Sequence, residues 1–272
     1  MSELTNSQED FSKYNGEGTI LRQAQNRLLN MLIDFDRICQ KYNIAYFISG
    51  GTCLGAVRHG GFIPWDDDID IDVWHTDYQK LLKILPDELP EKYFLQTDKT
   101  DWSFARSYLR IVDKQSEVTY SDNRGRENFK HQGLWLDVLP LNKMVSYRAK
   151  KFVDYLYTGS LSNLRRPMDK PLKKLVSVFV YPVSAVVVHM LNFLSAVMWN
   201  QNKICHEFGT GMSPRLDKRL CFPPKKILFE GIEFYGPAEP DKYLEKLYGT
   251  DYMIIPEEKN RKFHASIISL SK

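Results

Sequence analysis

From Asp66 to Val73 the chain sets an aspartate at every second position, Asp66, Asp68, Asp70 and Asp72, with Ile69, Ile71 and Val73 between the later ones. Successive side chains of a strand point to opposite faces. The alternation therefore predicts a strand over Asp68–Val73, with Ile69, Ile71 and Val73 in a core and the carboxylates on the other face. Acidic residues are depleted in strands, and several on one face repel each other. A divalent cation is the usual compensation. Magnesium takes oxygen ligands octahedrally, commonly one or two carboxylates plus substrate phosphates, and two such ions can clamp the attacking and leaving oxygens of a phosphoryl displacement. The plainer reading is a solvent-facing polar strand edge. A calcium loop of the EF-hand type does not fit: counted from Asp66, the places for its Gly and Glu hold Ile71 and Asp77.

Upstream, Ile44 to Ile48 reads as a short strand and Cys53 to Val57 as one or two helical turns, with Ser49-Gly50-Gly51-Thr52 between them. Glycine lets a backbone approach a phosphate closely, and a helix N-terminus favours an anion. Gly50, Gly51 and Thr52 are therefore candidate contacts for a phosphorylated donor. Taken alone this is an ordinary strand-to-helix turn; the acids that follow give it weight.

The rest of the pattern alternates helix and strand. Leu21, Leu28, Leu32, Phe35, Ile38 and Cys39 predict a helix over Ile20–Tyr42, stopped at Asn43, and a second runs from Thr76 to Leu85, closed by Pro86. Phe104–Val112, Glu117–Tyr120 and Leu134–Leu139 are strand candidates. Tyr147–Ser160 and Asp241–Leu247 read as helices, and Ile227–Tyr235 as a hairpin around Glu230-Gly231. This order predicts an α/β (α+β) fold with a mixed sheet flanked by helices. Residues 1–18 read as a flexible tail without the basic start and apolar run of a secretory signal. Residues 19–272 read as one domain carrying a hydrophobic helical insertion at about 150–210.

Within that insertion, Leu175 to Trp199 holds no Lys, Arg, Asp or Glu over 25 residues. That is long enough to span a bilayer, but Pro182, His189, Asn192 and three serines (Ser177, Ser184 and Ser195) stand against a span. Three readings remain: a buried helix pair broken near Pro182, a membrane-contacting hairpin over 173–199 with Lys173-Lys174 at anionic headgroups, or a span. The 37 basic and 34 acidic residues leave a net charge of +3, without the basic footprint of a nucleic-acid-binding protein. Four cysteines without a CxxC pair predict idle thiols in a reducing compartment. The expected location is the cytoplasm, with the inner face of the cell membrane open to it through 173–199.

The run Ile48-Ser49-Gly50-Gly51-Thr52-Cys53-Leu54-Gly55-Ala56-Val57-Arg58-His59-Gly60-Gly61-Phe62-Ile63-Pro64-Trp65-Asp66-Asp67-Asp68-Ile69-Asp70-Ile71 closely resembles the signature of the LicD family. That family includes the fukutin-related proteins and belongs to the nucleotidyltransferase-fold superfamily, marked by a glycine pair followed by an acid-x-acid strand. Gly133 to Leu141 resembles the family's second acidic strand. Glu230-Gly231 through Leu247-Tyr248-Gly249 resembles its C-terminal segment, which Ile255-Pro256 and His264 close.

The resemblance implies a phosphotransferase that moves a phosphorylated small group from a CDP-activated donor to a hydroxyl of a cell-surface glycan or its lipid-linked precursor. Phosphocholine from CDP-choline is typical of bacterial members and ribitol phosphate of the fukutin-related ones. The acceptors are polymers such as teichoic acid, lipopolysaccharide or capsule. It implies Mg2+ or Mn2+ on Asp68 and Asp70, with Asp137 as third metal-binding and catalytic carboxylate, able to serve as general base. Asp72 is the reserve ligand, and Asp66 and Asp67 are assigned to holding the loop. Arg110 is placed on the donor diphosphate, since a guanidinium binds phosphate bidentately, with Arg106 an equal alternative and a solvated arginine the plain one. Trp65 reads as packing, Arg58 and His59 carry no derived role, and His264 is as readily structural. Other donors (ribitol or glycerol phosphate), nucleotidyl transfer with pyrophosphate release, and a non-catalytic nucleotide-binding protein remain as alternatives.

Overall fold

The structure, a computed structural model, describes residues 10–120, 126–144, 146–165, 171–197, 202–212, 214–261 and 265–270. A short helix α1 (Ser12–Asn15) precedes α2 (Ile20–Lys41), β1 (Tyr46–Ile48), α3 (Gly50–His59), β2 (Ile69–Trp74) and α4 (His75–Glu88). Next come β3 (Tyr93–Gln96), β4 (Leu109–Asp113), β5 (Glu117–Tyr120) and β6 (Trp135–Lys143). Two long helices follow, α5 (Tyr147–Arg165) and α6 (Pro171–Val197), then β7 (Lys203–His206), β8 (Leu216–Asp217) and α7 (Lys218–Cys221). The chain closes with β9 (Lys225–Phe229), β10 (Ile232–Gly236), α8 (Pro240–Tyr248) and β11 (Ala265–Ser269).

One mixed sheet organises the domain, in the order β1-β2-β6-β4-β3, with β7 on β6 and β8 on β7. β2 and β6 run parallel, and the other pairs of this sheet are antiparallel. The nine-residue β6 serves β4 with its first half and β7 with its last three residues. Hairpin β9–β10 and pair β5–β11 lie outside it. This is the mixed α/β architecture that the sequence pattern predicts.

The core forms where two periodicities meet. Ala24, Leu28, Met31, Leu32, Phe35 and Ile38 recur at intervals of three and four along α2 and pack as one buried face against Ile69, Ile71 and Val73 of β2 and Leu136 and Val138 of β6. The aliphatic half of the acidic strand is therefore its anchor. Thr19 caps α2, its hydroxyl oxygen accepting from Arg22 N at 3.2 Å. Asn43 stops the chain just beyond it with a left-handed φ of 50°.

Several boundaries differ from the expectations. α3 is a full helix, because Gly60 at its end adopts φ 71° and closes it. Pro86 lies inside α4 instead of ending it; the missing N–H costs one bond near the C-terminus, while Tyr78, Leu81 and Leu85 bury the face that holds the helix down. β6 continues through Pro140 to Lys143. The strand expected over 104–112 begins only at Leu109, and β3 and β7 were not anticipated. Part of the segment expected as a tail is packed: the Phe11 and Tyr14 rings lie 6.0 and 5.9 Å from Trp65. His264 lies outside the described residues.

The largest correction concerns the apolar stretch. It is no buried pair of helices broken near Pro182. α6 is one helix running through Pro182, and only Ser177, Ser184, Val188 and Ser195 are buried among its described residues. It is long and apolar enough to cross a membrane.

Candidate active site

Three adjacent strands assemble the centre. In the parallel register of β2 with β6, Asp70 lies opposite Asp137; in the antiparallel register of β4 with β6, Asp137 lies opposite Arg110. A row Asp70–Asp137–Arg110 thus crosses the sheet on one face, and the loop entering β2 adds Asp68. These four side chains line a cleft of about 330 Å³ together with Arg106, Tyr108, Arg126, Trp135 and the segment Thr210–Met212. The sequence reading singled out five of these residues, Asp68, Asp70, Asp137, Arg110 and Arg106, and the fold brings them to one cavity.

The glycine turn serves the carboxylates directly. Gly50 has φ 52°, and a methyl group there would stand 3.1 Å from Asp70 Oδ2; one at Gly51 would stand 3.1 Å from Asp66 Oδ2. Both acids therefore pack against bare backbone at the first turn of α3, whose positive end favours negative charge. Asp70 is pinned from both sides: its N–H donates to Thr52 Oγ1 at 2.9 Å, and its carbonyl accepts from Ser49 N at 2.9 Å. Thr52, buried at 4% exposure, thereby locks α3 to β2 through its hydroxyl oxygen. Gly50 N donates to Tyr243 Oη at 3.1 Å, which ties the turn to α8.

The electrostatics are those of crowded acids. Burial holds the Asp70 carboxyl well above the usual carboxylate range, and the charges of Asp68, Asp137, Asp66 and Asp72 push it further in the same direction. Carboxylate oxygens of Asp66, Asp67 and Asp68 also lie within 4.8 Å of one another. Asp66 and Asp67 thus stand closer to the acidic centre than loop residues need to; the loop itself is held by Gln25, whose amide donates to Asp66 O at 2.9 Å. Such a set fits a divalent cation: hard oxygen donors converge, and a proton is favoured on one of them when no cation is there.

Asp137 and Arg110 form a closed pair. Arg110 Nε and Nη2 donate to Asp137 Oδ1 and Oδ2 at 2.7 and 2.8 Å, and both residues are 5% exposed. The guanidinium also lies over the Trp135 ring, 4.8 Å from its centroid, and near Phe104 at 5.5 Å. Arg110 is therefore oriented toward Asp137 rather than toward a donor. A carboxylate offers about four lone-pair sites and Arg110 takes two, so Asp137 keeps capacity for a cation. As a general base it is poorly placed, because both oxygens already face a fixed positive charge.

Asp72, the reserve ligand, is taken. It is 1% exposed and accepts from His206 Nε2 at 2.8 Å, two residues beyond Asp70 along β2. Next to it His75 Nδ1 pairs with Glu207. Sequence reasoning missed His206 and Glu207 because β7 is short and joins the sheet only through the end of β6. Tyr108 and Trp135 were missed too, although each lies two residues before a singled-out residue and so shares its face.

The remaining motif residues are structural. Arg58 donates to the carbonyls of Tyr252 and Ile254 at 3.0 and 3.3 Å and holds the C-terminal segment. His59 packs edge-on against Phe11, and burial lowers it to about 4. Glu230, in the hairpin turn, accepts from Phe62 N at 3.0 Å and pairs with Arg22 at 2.7 Å. A side chain on Gly61 would strike it.

Known proteins resemble this chain in the same region. The family described as LicD/FKTN/FKRP, nucleotidyltransferase domain, matches residues 43–152, which hold β1 through β6 and the aspartates Asp66, Asp67, Asp68, Asp70, Asp72 and Asp137. The lipopolysaccharide cholinephosphotransferase LicD of Haemophilus influenzae is 26% identical over 265 residues, covering 90% of this chain and 95% of that protein. The mouse ribitol 5-phosphate transferase FKRP is 28% identical over 102 residues, 36% of this chain and 18% of that protein. An uncharacterised protein of Rickettsia prowazekii is 43% identical over 83 residues, 30% of each chain.

Proposed function

We propose that this chain is a phosphotransferase of the LicD family that moves a phosphorylated small group from a CDP-activated donor onto a glycan hydroxyl, a reading supported by the family match over residues 43–152 and by the likeness to a LicD cholinephosphotransferase. Phosphocholine is the group we assign, on the likeness over 90% of the chain to a cholinephosphotransferase. The observation that carries the reading is the convergence of Asp68, Asp70 and Asp137 in one cleft beside the glycine turn. In the reaction the acceptor oxygen forms a bond to the donor's outer phosphorus, the bridging phosphorus–oxygen bond breaks, and CMP departs. The hydroxyl proton passes to a carboxylate and then to solvent.

The residues divide this work. Asp68 and Asp70, with Asp137 behind them, would hold Mg2+ or Mn2+, which supplies Lewis-acid stabilisation of charge on the phosphoryl oxygens. Arg110 holds both Asp137 oxygens, so Asp137 is a weak acceptor for the hydroxyl proton. Arg110 fixes Asp137. Arg106 lines the cleft and takes over the donor diphosphate. Incubating the protein with a panel of CDP-activated donors and a glycan acceptor should release CMP with one of them and none in excess chelator. Pyrophosphate release would point to nucleotidyl transfer, and no release with any donor to a binding protein.

Two further results are expected. Arg106→Ala should raise KM for the donor about tenfold to a hundredfold with a smaller effect on kcat, the loss of one charge-assisted contact; an unchanged KM would return the diphosphate to another group. The second is a pH dependence. Unfolded Asp70 titrates near 3.9, and the folded carboxyl titrates higher. Between those values the folded state holds more protons than the unfolded, so stability falls as pH rises through the window. A cation favours the ionised form, so the gain in Tm on adding Mg2+ should grow as pH rises. Thermal scans with Mg2+ or chelator from about pH 5 to 8 test this; a gain independent of pH would count against a cation at Asp70.

A further inference from the structure

The hairpin of α5 and α6 is built inside out. Toward the protein α6 turns Ser177, Ser184, Val188 and Ser195, spaced seven, four and seven residues apart. On its opposite side stand Phe179, Val183, Val186 and Phe193, again at helical spacing. With Phe152 and Tyr155 of α5 these side chains are 64–76% exposed. Small residues between helices and large apolar ones outside is the arrangement of helices that meet lipid. A contiguous apolar face of this kind is a contact surface, not scattered surface hydrophobics. Between the helices runs a groove of about 470 Å³, lined by Phe152, Leu156, Phe179 and Val183 among others, with Ser184 its one polar member.

Charge says what covers this face. α6 carries no acid, and the single acid of α5, Asp154, is buried in a 2.6 Å pair with Lys150. The exposed charges of the described hairpin are cationic: Arg148 and Lys151 near the start of α5, Lys173 and Lys174 at the start of α6. Because α5 and α6 are joined end to start and pack side by side, these cations flank the apolar face at both ends. A helix lying in the interface of an anionic bilayer has this pattern. A span does not fit it, because α6 is fastened along its inner stripe. Asn192 exchanges hydrogen bonds with the Phe208 backbone at 2.8 and 3.1 Å, and Asn163 donates to Ser177 at 3.0 Å.

We propose that the α5–α6 hairpin is a monotopic membrane anchor that docks the protein flat on an anionic bilayer. The same hairpin holds one wall of the cleft. Lys150 Nζ donates to Glu207 O at 2.7 Å, and Gly209 N donates to Asp154 Oδ1 at 2.7 Å. The next residues, Thr210–Met212, line the cleft. Docking therefore brings the bilayer surface beside the cleft, where a lipid-linked acceptor would be presented. That consequence rests on the proposed transfer reaction; the docking itself does not.

Vesicle binding tests the docking without any transfer assay. The full chain should sediment with mixed phosphatidylcholine–phosphatidylglycerol vesicles and much less with pure phosphatidylcholine. Lys173→Gln with Lys174→Gln should weaken binding to the mixed vesicles about 25-fold, roughly fivefold per lysine. The triple variant Phe179→Ser, Val183→Ser, Val186→Ser should weaken it at least about a hundredfold, with circular dichroism and Tm unchanged because all three are exposed. A depth-sensitive fluorophore on Phe179→Cys, selective because the four native cysteines are buried, should report the headgroup boundary. Absence of binding to both vesicles would overturn the proposal. So would binding indifferent to the triple variant, or a fluorophore at the bilayer centre, which means a span. Loss of a dimer in the triple variant without vesicle binding would assign the face to a second copy of the chain.

Discussion

Asp70→Asn should abolish transfer while the protein stays folded, with kcat falling by at least about a thousandfold, the scale of losing one electrostatic stabiliser of a transition state. The same is expected of Asp68→Asn. The two should differ in stability. Burial and four neighbouring carboxylates disfavour the charge of Asp70, so neutralising it removes repulsion, and Tm in chelator should hold or rise. Added Mg2+ should then stabilise Asp70→Asn far less than the parent. Turnover near the parental level in either variant would remove the acidic strand from the chemistry. A large drop in Tm in chelator would show that Asp70 serves the fold instead.

Arg110→Met should be the most damaging substitution for stability, at about 3–5 kcal/mol, the cost of leaving one partner of a buried ion pair alone. For a domain of this size that is a fall in Tm of roughly 10 °C. The guanidinium makes two bonds to Asp137 at 2.7 and 2.8 Å and lies between the Trp135 and Phe104 rings. Methionine fills the space but leaves a buried carboxylate facing Asp70. The double variant Arg110→Met, Asp137→Leu should recover much of the loss, because an apolar pair of similar volume often replaces a buried ion pair at little cost. Thermal melts of the two proteins decide it. If Arg110→Met melts with the parent but raises KM for the donor, Arg110 is the phosphate contact that the sequence suggested and the pair with Asp137 is secondary.

The alternation of acids and aliphatics fixed how β2 sits: Ile69, Ile71 and Val73 had to be inside, so Asp70 had to face away from them. The glycine pair and the motif around it marked the same place, and Gly133–Leu141 marked the partner strand. These are local signals, written in period and in steric need. Partnerships were not legible. A strand's period says which side a residue faces, not which neighbour it meets there. Asp70 and Asp72 share a face, yet one opens on the cleft and the other is closed off by His206, because β7 covers only the far end of β6. Arg110 looked free until β4 set it opposite Asp137.

The apolar stretch shows the same division from the other side. Its composition announced a helix in an apolar setting and could not say whether that setting was protein or lipid, since both remove the same side chains from water. Tertiary packing turned the serines inward and left the phenylalanines outward. By itself, then, the sequence determined the anchor of the acidic strand and the acids that face the cleft, because those follow from local periodicity and spacing. Only the tertiary structure decided which acid is paired, which arginine is tied to it and which face of α6 stays uncovered, because each depends on what a distant part of the chain brings against it.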